Sequence, residues 1–477
     1  MRSAFTWCFA VCALCIVNTV NAQLPAEVER SLANQAVPQE AVSIFVQKIG
    51  SDQPLIAHND ERSMTPASTM KLLTTYAALE LLGPAYRWRT EIYRDGELVD
   101  GVLHGDLIIK GYGNPELMQH DIWRMLSDLR QTGLREVRGD LVLDDTYFAP
   151  EQVDPGFFDD DPYRAYNATA NALTSNLNST SFRLYPDEGR VKVQISPSLK
   201  GIELVNQLQP ANGTCGDWRS QLRYQVKQQG TEAKVSLSGR YPVACKEKYL
   251  DLSLFDHASY SYLLFKDIWH QLGGTLSNGY RKDTLSTRAV LLSVHYSQPL
   301  ADVIRRVNKY SNNLMTRQLL LTIAAEQTGK PGTETAGAEV VRRWLADKGM
   351  HFPELVIDNG AGLSRIERIS ARHLGELLLN AYASPLMAEF MSSMPLLAVD
   401  GTLMRRLNGK PVQGRAHIKT GSIDGVRAIA GYLLDKHGQR WVVVFIANHA
   451  RAGGTGAAQD ALLEWLFDSP MHQVCCR

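Results

Sequence analysis

From about residue 87 to about residue 285 the chain changes texture. Short runs such as "GVLHGDLIIKGYGNPEL", "VRGDLVLDDTYFAP", "RVKVQISP" and "AKVSLSGRYP" alternate apolar and polar residues between turn residues. That is the pattern of half-buried strands. A single helical pattern, near 121–131, interrupts them. Outside this stretch the elements are of another kind. "AVSIFVQKI" (41–49) and a shorter run at 54–58 read as strands, and an apolar helix follows at 65–83. After the stretch, "PLADVIRRVNKYSNNLMTRQLLLTIAAEQTG" reads as a long amphipathic helical region. "GTETAGAEVVRRWLADKG" and "ISARHLGELLLNAYASP" read as helices, "RAHIKTGSIDGVRAIAGYLLD" and "QRWVVVFIANHA" as two strands, and "AQDALLEWLFD" as a closing helix. Early and late strands can share one sheet if the β-rich stretch is an insertion. The pattern therefore predicts an α/β core split in sequence by one or two β-rich domains, which 477 residues can supply.

The apolar helix carries an anomaly. In "TPASTMKLLTTYAALELLG", Thr65 suits an N-cap, Pro66 the first helical position, and Gly83-Pro84 a stop. Apolar residues cover most of its circumference, so it belongs in a core. Yet it holds Lys71, one turn after Ser68. Burying an unpaired amine costs several kcal/mol unless it is partnered or neutralised. Residues at i and i+3 share a helix face, so Ser68 Oγ and the Lys71 amine can meet. A serine beside a desolvated amine, at a helix start that favours negative charge, is one recipe for a nucleophile. A helix start followed by a lysine that snorkels to the surface has the same spelling.

Two further short motifs follow in order. Ser311-Asn312-Asn313 sits within the long helical region, where Ser and Asn also mark a helix boundary. Lys419-Thr420-Gly421-Ser422 sits on the first late strand, where a glycine often marks close approach by a ligand. The order S-x-x-K, S-x-N, K-T-G, each on a matching element, is the signature of penicillin-binding proteins and class A β-lactamases. The chain resembles the penicillin-recognising acyl-serine transferases. Within them it is similar to the low-molecular-mass class C penicillin-binding proteins, the D-alanyl-D-alanine carboxypeptidase/endopeptidase group of penicillin-binding protein 4 type (peptidase S13 family). The distance from Ser68 to Ser311 is too long for a β-lactamase, and "GDLIIKGYGNPEL", "GDLVLDD" and "YNATANALTSNLNS" resemble that group's insertion motifs. "NGAGLSR" (359–365) is similar to its G-S-G-L-S-R segment, with Ala361 where Ser is usual. Asn114 stands where Asp is usual, and Asn312 fills a variable position. These departures bear on contacts at the rim of the site.

The resemblance implies a fold and a division of the chain. The fold is a serine β-lactamase/transpeptidase-like core, a five-stranded antiparallel sheet flanked by helices and interrupted by β-rich insertion domains. The core would take residues 23–86 and 289–477, one insertion domain 87–170 and 257–288, and a nested one 171–256. The resemblance also implies roles. Ser68 is the nucleophile, Lys71 the base, Ser311 a proton relay, and Asn313 a partner of Lys71 and the substrate amide. Lys419 and Thr420 suit a terminal carboxylate, Gly421 leaves room for substrate, and the backbone N–H groups of Ser68 and Ser422 form the oxyanion hole. Peptidoglycan stem peptides are the implied substrates, with loss of terminal D-Ala or cleavage of D-Ala–diaminopimelate cross-links, and β-lactams acylate the same serine. No metal or cofactor is implied. A β-lactamase and a catalytically idle penicillin-binding scaffold are the competing readings. The nearest look-alike of a β-lactamase's deacylating glutamate is Glu354, which reads instead as part of a helix-to-strand connection.

Composition and the termini set the compartment. Lys+Arg and Asp+Glu are both 50, so no basic field points to nucleic acid. The first residues, "MRSAFTWCFAVCALCIVNTVNAQ", have Arg2 in a short n-region, an apolar stretch and small residues at Val20 and Ala22, the form of a signal peptide ending at 22. The expectation is export to the periplasm, with peripheral membrane association and homodimerisation left open. Cys8, Cys12 and Cys15 leave with the signal, Cys215 and Cys245 can close a disulfide loop worth roughly 3–4 kcal/mol, and Cys475 and Cys476 are given no role. The acidic run 159–161 lacks an EF-hand pattern and reads as a solvated turn.

Overall fold

The computed structural model describes residues 24–468. The signal stretch, with Cys8, Cys12 and Cys15, and the terminal Cys475 and Cys476 lie outside them. Early and late strands do share one sheet. Its antiparallel order is Ala416–Ile423, Val426–Leu434, Arg440–Asn448, Val42–Lys48, Ile56–His58. The segment read as one strand at 415–435 is a hairpin turning at Asp424-Gly425, so three strands rather than two return at the C-terminus.

The sheet separates two cores, and strand alternation decides which residue enters which. On Arg440–Asn448, Val442, Val444 and Ile446 face the Ser68 side. Trp441, Val443, Phe445 and Ala447 face the other side, against the helices Ala26–Asn34 and Gly456–Asp468. On the Ser68 side the helix Lys71–Leu82 is buried without a break from Lys71 to Leu79. Leu300–Tyr310, Asn313–Thr328, Glu334–Asp347 and Ala371–Ala383 surround it. Gly83 ends it at φ +84, as the Gly-Pro signal predicts.

The β-rich stretch forms three sheets. One is seven-stranded and is built on Arg89–Val99 and Val102–Gly111. Its edge strand Val290–Tyr296 pairs with Arg89–Val99, so the insertion runs past the expected boundary at 288. The reason is in the strand pattern: "VLLSVHY" needs a partner, and the core sheet already ends at Ile56–His58. The two others are three-stranded. Thr180–Asp187 lies between Arg190–Ser196 and Lys248–Leu252, and Glu232–Pro242 lies between Leu222–Gln229 and Ile202–Ala211. Cys215 and Cys245 are joined by a disulfide beside the second of these. The insertion seats on the core through Phe148, Ala168, Ala170 and Ala172, which pack on Leu314, Leu321 and Ala325 of the Asn313–Thr328 helix. No helix among the described residues is long and apolar enough to cross a membrane.

Candidate active site

The turn that presents Ser68 is not the regular helix start that Thr65-Pro66 predicts. Residues Ala67–Met70 form a 3-10 turn, and the α-helix begins at Lys71. Thr65 serves instead as a clamp: its N–H donates to Asn448 Oδ1 (2.8 Å) and its carbonyl accepts from Asn448 Nδ2 (3.0 Å). This ties the turn to the last strand. Ala67 sits at φ +46, a conformation that a non-glycine residue adopts at a cost. The result is a partly exposed Ser68 between buried neighbours.

Gly421 has a role other than the one its place in a strand suggests. A Cβ there would lie 2.7 Å from Pro66 O and 3.1 Å from the Ser68 nitrogen. The close approach it permits is by the chain's own turn. The Lys419–Ser422 strand is thereby pressed against the backbone of Ser68, with Ser422 exposed beside it.

The long helical region after residue 300 is broken in two, and the break carries function. Leu300–Tyr310 ends on Ser311, which takes the left-handed conformation (φ +58) usual for a glycine. Asn312 then caps the next helix by accepting from the Met315 N–H (3.0 Å). Asn313 thus stands in that helix's first turn, with its Oδ1 toward Lys71 and its Nδ2 donating to the Tyr166 carbonyl (3.2 Å).

Four side chains converge as two lysine–serine pairs. Lys71 Nζ lies 3.0 Å from Ser68 Oγ and 2.7 Å from Asn313 Oδ1, and also meets the carbonyl of Ala361. Lys419 Nζ lies 2.8 Å from Ser311 Oγ and 2.7 Å from Thr420 O. Both amines are fully buried. Burial, then the charges of Lys419 and Arg317, push the Lys71 amine well below its ordinary value, while Glu367 pulls it back. Burial alone pulls Lys419 down to about 7. A neutral amine has two N–H donors and one lone pair. For Lys71 the two carbonyl oxygens, Asn313 Oδ1 and Ala361 O, take the donors and leave the lone pair for the Ser68 hydroxyl proton. That is the geometry of a general base.

Several members were not read from the sequence. Ala361, whose side chain departs from the usual Ser, acts through its carbonyl, on Lys71 beside Ser68 rather than at the rim. Glu367 is buried, its carboxyl pushed up to about 7 chiefly by burial. Its Oε1 accepts from the N–H groups of Asp358 (3.2 Å), Asn359 (3.1 Å) and Gly360 (2.7 Å), so it shapes the loop that carries Ala361. In that loop Gly362, at φ +77, leaves no space for a Cβ against Ala67 O. Arg317, one turn beyond Asn313, is held by the carbonyls of Asn167 (3.3 Å) and Ala168 (2.9 Å) in the insertion. Exposed Thr402 pairs its hydroxyl with that of Thr420 (3.0 Å). The signals were faint: a glutamate in a polar loop and an arginine on a helix carry no motif.

Other expected positions fall elsewhere. Glu354 is engaged by His373 Nδ1 (2.7 Å) and the Ser370 N–H (2.7 Å), and burial notwithstanding, these bonds hold its carboxyl down at about 2. Its segment joins the helices Glu334–Asp347 and Ala371–Ala383, so the expected helix-to-strand connection is helix-to-helix. Asn114 is buried rather than on the rim, its carbonyl accepting from Gln318 (3.3 Å) on the core helix. Asp159 and Asp161 accept from Arg164 (2.8 and 2.9 Å) and from neighbouring Asn167 and Tyr224.

Comparison with known proteins decides the family. The model of the D-Ala-D-Ala carboxypeptidase 3 (S13) family matches residues 24–467. The chain belongs to that family. It is an enzyme of the serine-type carboxypeptidase class. A D-alanyl-D-alanine carboxypeptidase of an Actinomadura species is 28% identical over 95% of this chain and 86% of its own. D-alanyl-D-alanine carboxypeptidase DacB of Haemophilus influenzae is 25% identical, over 91% of each. The crystal structure of penicillin-binding protein 4 from the same organism superposes with a TM-score of 0.77 at 22% identity, covering 92% of this chain and 99% of that one. A second structure of it, complexed with a β-lactam, gives 0.73 at 22% identity over 93% and 100%. A predatory peptidoglycan endopeptidase of Bdellovibrio bacteriovorus gives 0.51 at 15% identity, over 89% and 90%.

Proposed function

We propose that this S13 carboxypeptidase is an exported D,D-peptidase that acts on peptidoglycan stem peptides through an acyl-enzyme on Ser68. The observation that carries the reading is Lys71, its two N–H donors taken by carbonyls and its lone pair aimed at Ser68 Oγ. Ser68 Oγ attacks the carbonyl of the penultimate D-Ala and passes its proton to Lys71. The tetrahedral oxyanion is held by the N–H groups of Ser68 and Ser422. Ser311 relays the proton from the Lys71 ammonium to the leaving nitrogen, the C–N bond breaks, and Lys71 is left neutral. Water then hydrolyses the ester, with Lys71 again as base. Asn313 holds the substrate amide. The exposed hydroxyls of Thr402 and Thr420, with Lys419 behind them, receive the terminal carboxylate.

The same site can open a D-Ala–diaminopimelate cross-link, because such a leaving group also carries a carboxylate beside the scissile amide. β-Lactams, which present a carboxylate and a strained amide, acylate Ser68 on this reading; the Haemophilus relative is named as a penicillin-binding protein. Residues 24–86 and 297–468 form the catalytic domain on this reading, and the insertion is divided as its sheets are. Intact mass after penicillin, with peptide mapping, tests the nucleophile. One adduct on the Ser68 peptide is expected, and an adduct that persists in Ser68→Ala refutes it. Digestion of purified muropeptides, with products identified by mass, reads carboxypeptidase against endopeptidase.

A further inference from the structure

Beyond Asn313 a cleft of about 500 Å³ runs outward between the Ser311 corner and the insertion. That volume lies within the ~300–1,000 Å³ of small-molecule sites. Its floor is a row set by strand register. Asp251 opposes Ser181, and Ser181 opposes Ser196, across three neighbouring strands. Directly opposed residues project to one face of a sheet. The alternate residues Phe182 and Leu184 point the other way, into the insertion core.

One wall is unusually fixed. Asn176, Leu177 and Asn178 are successive residues at φ +48, +56 and +49. The two asparagines are locked by bonds to Tyr260 (3.0 Å), Ser253 (2.9 Å) and the Phe255 carbonyl (3.0 Å). Three strained residues in a row persist only where the surroundings over-determine them, and such strain clusters at ligand sites. Tyr310, 71% exposed, also lines the cleft.

The lining tells what can enter. Hydroxyls and amides supply its polar groups, no Lys, Arg or His lines it, and Asp251 is its one charged residue. A carboxylate-bearing peptide would meet no counter-charge there and would face Asp251. An uncharged ligand rich in hydroxyls and acetamido groups finds donors and acceptors along the floor and a flat aromatic face on Tyr310. We propose that this cleft is a binding site for the N-acetylated amino-sugar strand from which the substrate's stem peptide hangs. The placement rests on the peptidoglycan reading above. Three stem residues separate the scissile D-Ala from the sugar, a span of about 10–11 Å when extended. A sugar so tethered falls outside the dipeptide site but within a cleft that begins at Asn313.

The test uses the whole mature protein and N,N′-diacetylchitobiose, a neutral peptide-free probe. Its binding is read by saturation-transfer NMR and titration. Ser181→Trp and Gln119→Trp, one on the floor and one on the rim, each fill the cleft without touching the lysine–serine pairs. Acylation by penicillin at the native rate shows that a variant is folded. The proposal expects saturable binding, weakened at least about tenfold in either folded variant. It is overturned if the native protein shows no saturable binding, or if binding survives unchanged in a folded variant. Because the probe has no peptide bond to cleave, a failure of the D,D-peptidase reading would appear separately, in the absence of D-Ala release.

Discussion

The two buried lysines of the site share burial and a serine partner, and on the proposed mechanism they do different things. Each is fully buried and each reaches a serine hydroxyl at about hydrogen-bond length, Lys71 to Ser68 and Lys419 to Ser311. Lys71, however, has two carbonyl acceptors from distant parts of the chain, 2 neighbouring cations and one buried carboxylate, Glu367. Lys419 has a carbonyl from its own neighbour Thr420, and burial is the one cause of its shift. Burial alone depresses an amine but does not aim its lone pair. What separates a base from an electrostatic anchor is where the N–H donors go.

The sharpest way to break this comparison is to remove each amine in turn. Lys71→Ala should slow acylation by penicillin by roughly 10²–10⁴-fold, the usual worth of a positioned base. Lys419→Ala removes a charge-assisted bond worth roughly 1.5–3 kcal/mol, so kcat/KM for D-Ala-D-Ala peptides should fall by about 10–200-fold. Stopped-flow acylation and steady-state peptide hydrolysis measure the two. If Lys419→Ala costs acylation as much as Lys71→Ala does, the division of roles is wrong. A substrate amidated at its C-terminus should lose most of its rate on the native protein and little more on Lys419→Ala.

How much of this was legible beforehand follows from the kind of signal each residue leaves. The core sheet was readable because "AVSIFVQKI" and "RWVVVFIAN" are short runs rich in β-branched and aromatic residues. The hairpin at Asp424-Gly425 was missed because only two residues separate strands that each read as a continuation of the other. The strand Val290–Tyr296 was assigned to the wrong side of a boundary, since pairing with Arg89–Val99 is a long-range choice that periodicity does not encode. Ser68, Lys71, Ser311 and Lys419 are named by motif. Their mutual geometry is not, because it depends on a left-handed Ser311 and a Gly421 that admits the 66–68 turn. Ala361 and Glu367 contribute a carbonyl and a loop shape, which any of several residues could supply.

Glu367→Gln sharpens the comparison at the Lys71 end. The substitution keeps an acceptor for the three loop N–H groups and removes the negative charge. That charge raises the Lys71 value, so its loss should lower it further. Acylation needs the neutral amine, and its rate falls as pH drops through the Lys71 value. Because Glu367 is itself neutral below about 7, the acidic limb of the acylation profile should move to lower pH in Glu367→Gln as far as that limb lies above this value. The Lys419-dependent discrimination between free and amidated C-termini should stay as it was. A profile that superposes on the native one would remove Glu367 from any role beyond holding the loop.

The smallest effect is expected at Glu354, and it separates a peptidase from a β-lactamase. Glu354 and Glu367 lie in the same connection, yet their surroundings push them in opposite directions. Glu354, with His373 and Ser370, is held at about 2, while Glu367 is pushed up to about 7. A carboxylate already satisfied by an imidazole and a backbone N–H has nothing left to offer a water at Ser68. Glu354→Gln should therefore leave penicillin acylation and turnover within about twofold of native. It should cost stability instead, about 1–2 kcal/mol for a partly buried charged hydrogen bond. The sign with pH follows from the pair. The glutamate's depressed value gives stability that is present above its ordinary 4.5 and lost as pH falls toward 2. The raised His373 value gives stability that is present below its ordinary 6.5 and lost as pH rises through the raised value. The difference in Tm between native and variant should thus be widest at weakly acidic pH and shrink on both sides. On penicillin the native protein should show a stoichiometric burst and slow turnover. Fast steady-state hydrolysis that disappears in Glu354→Gln would place the deacylating carboxylate there and make the protein a β-lactamase.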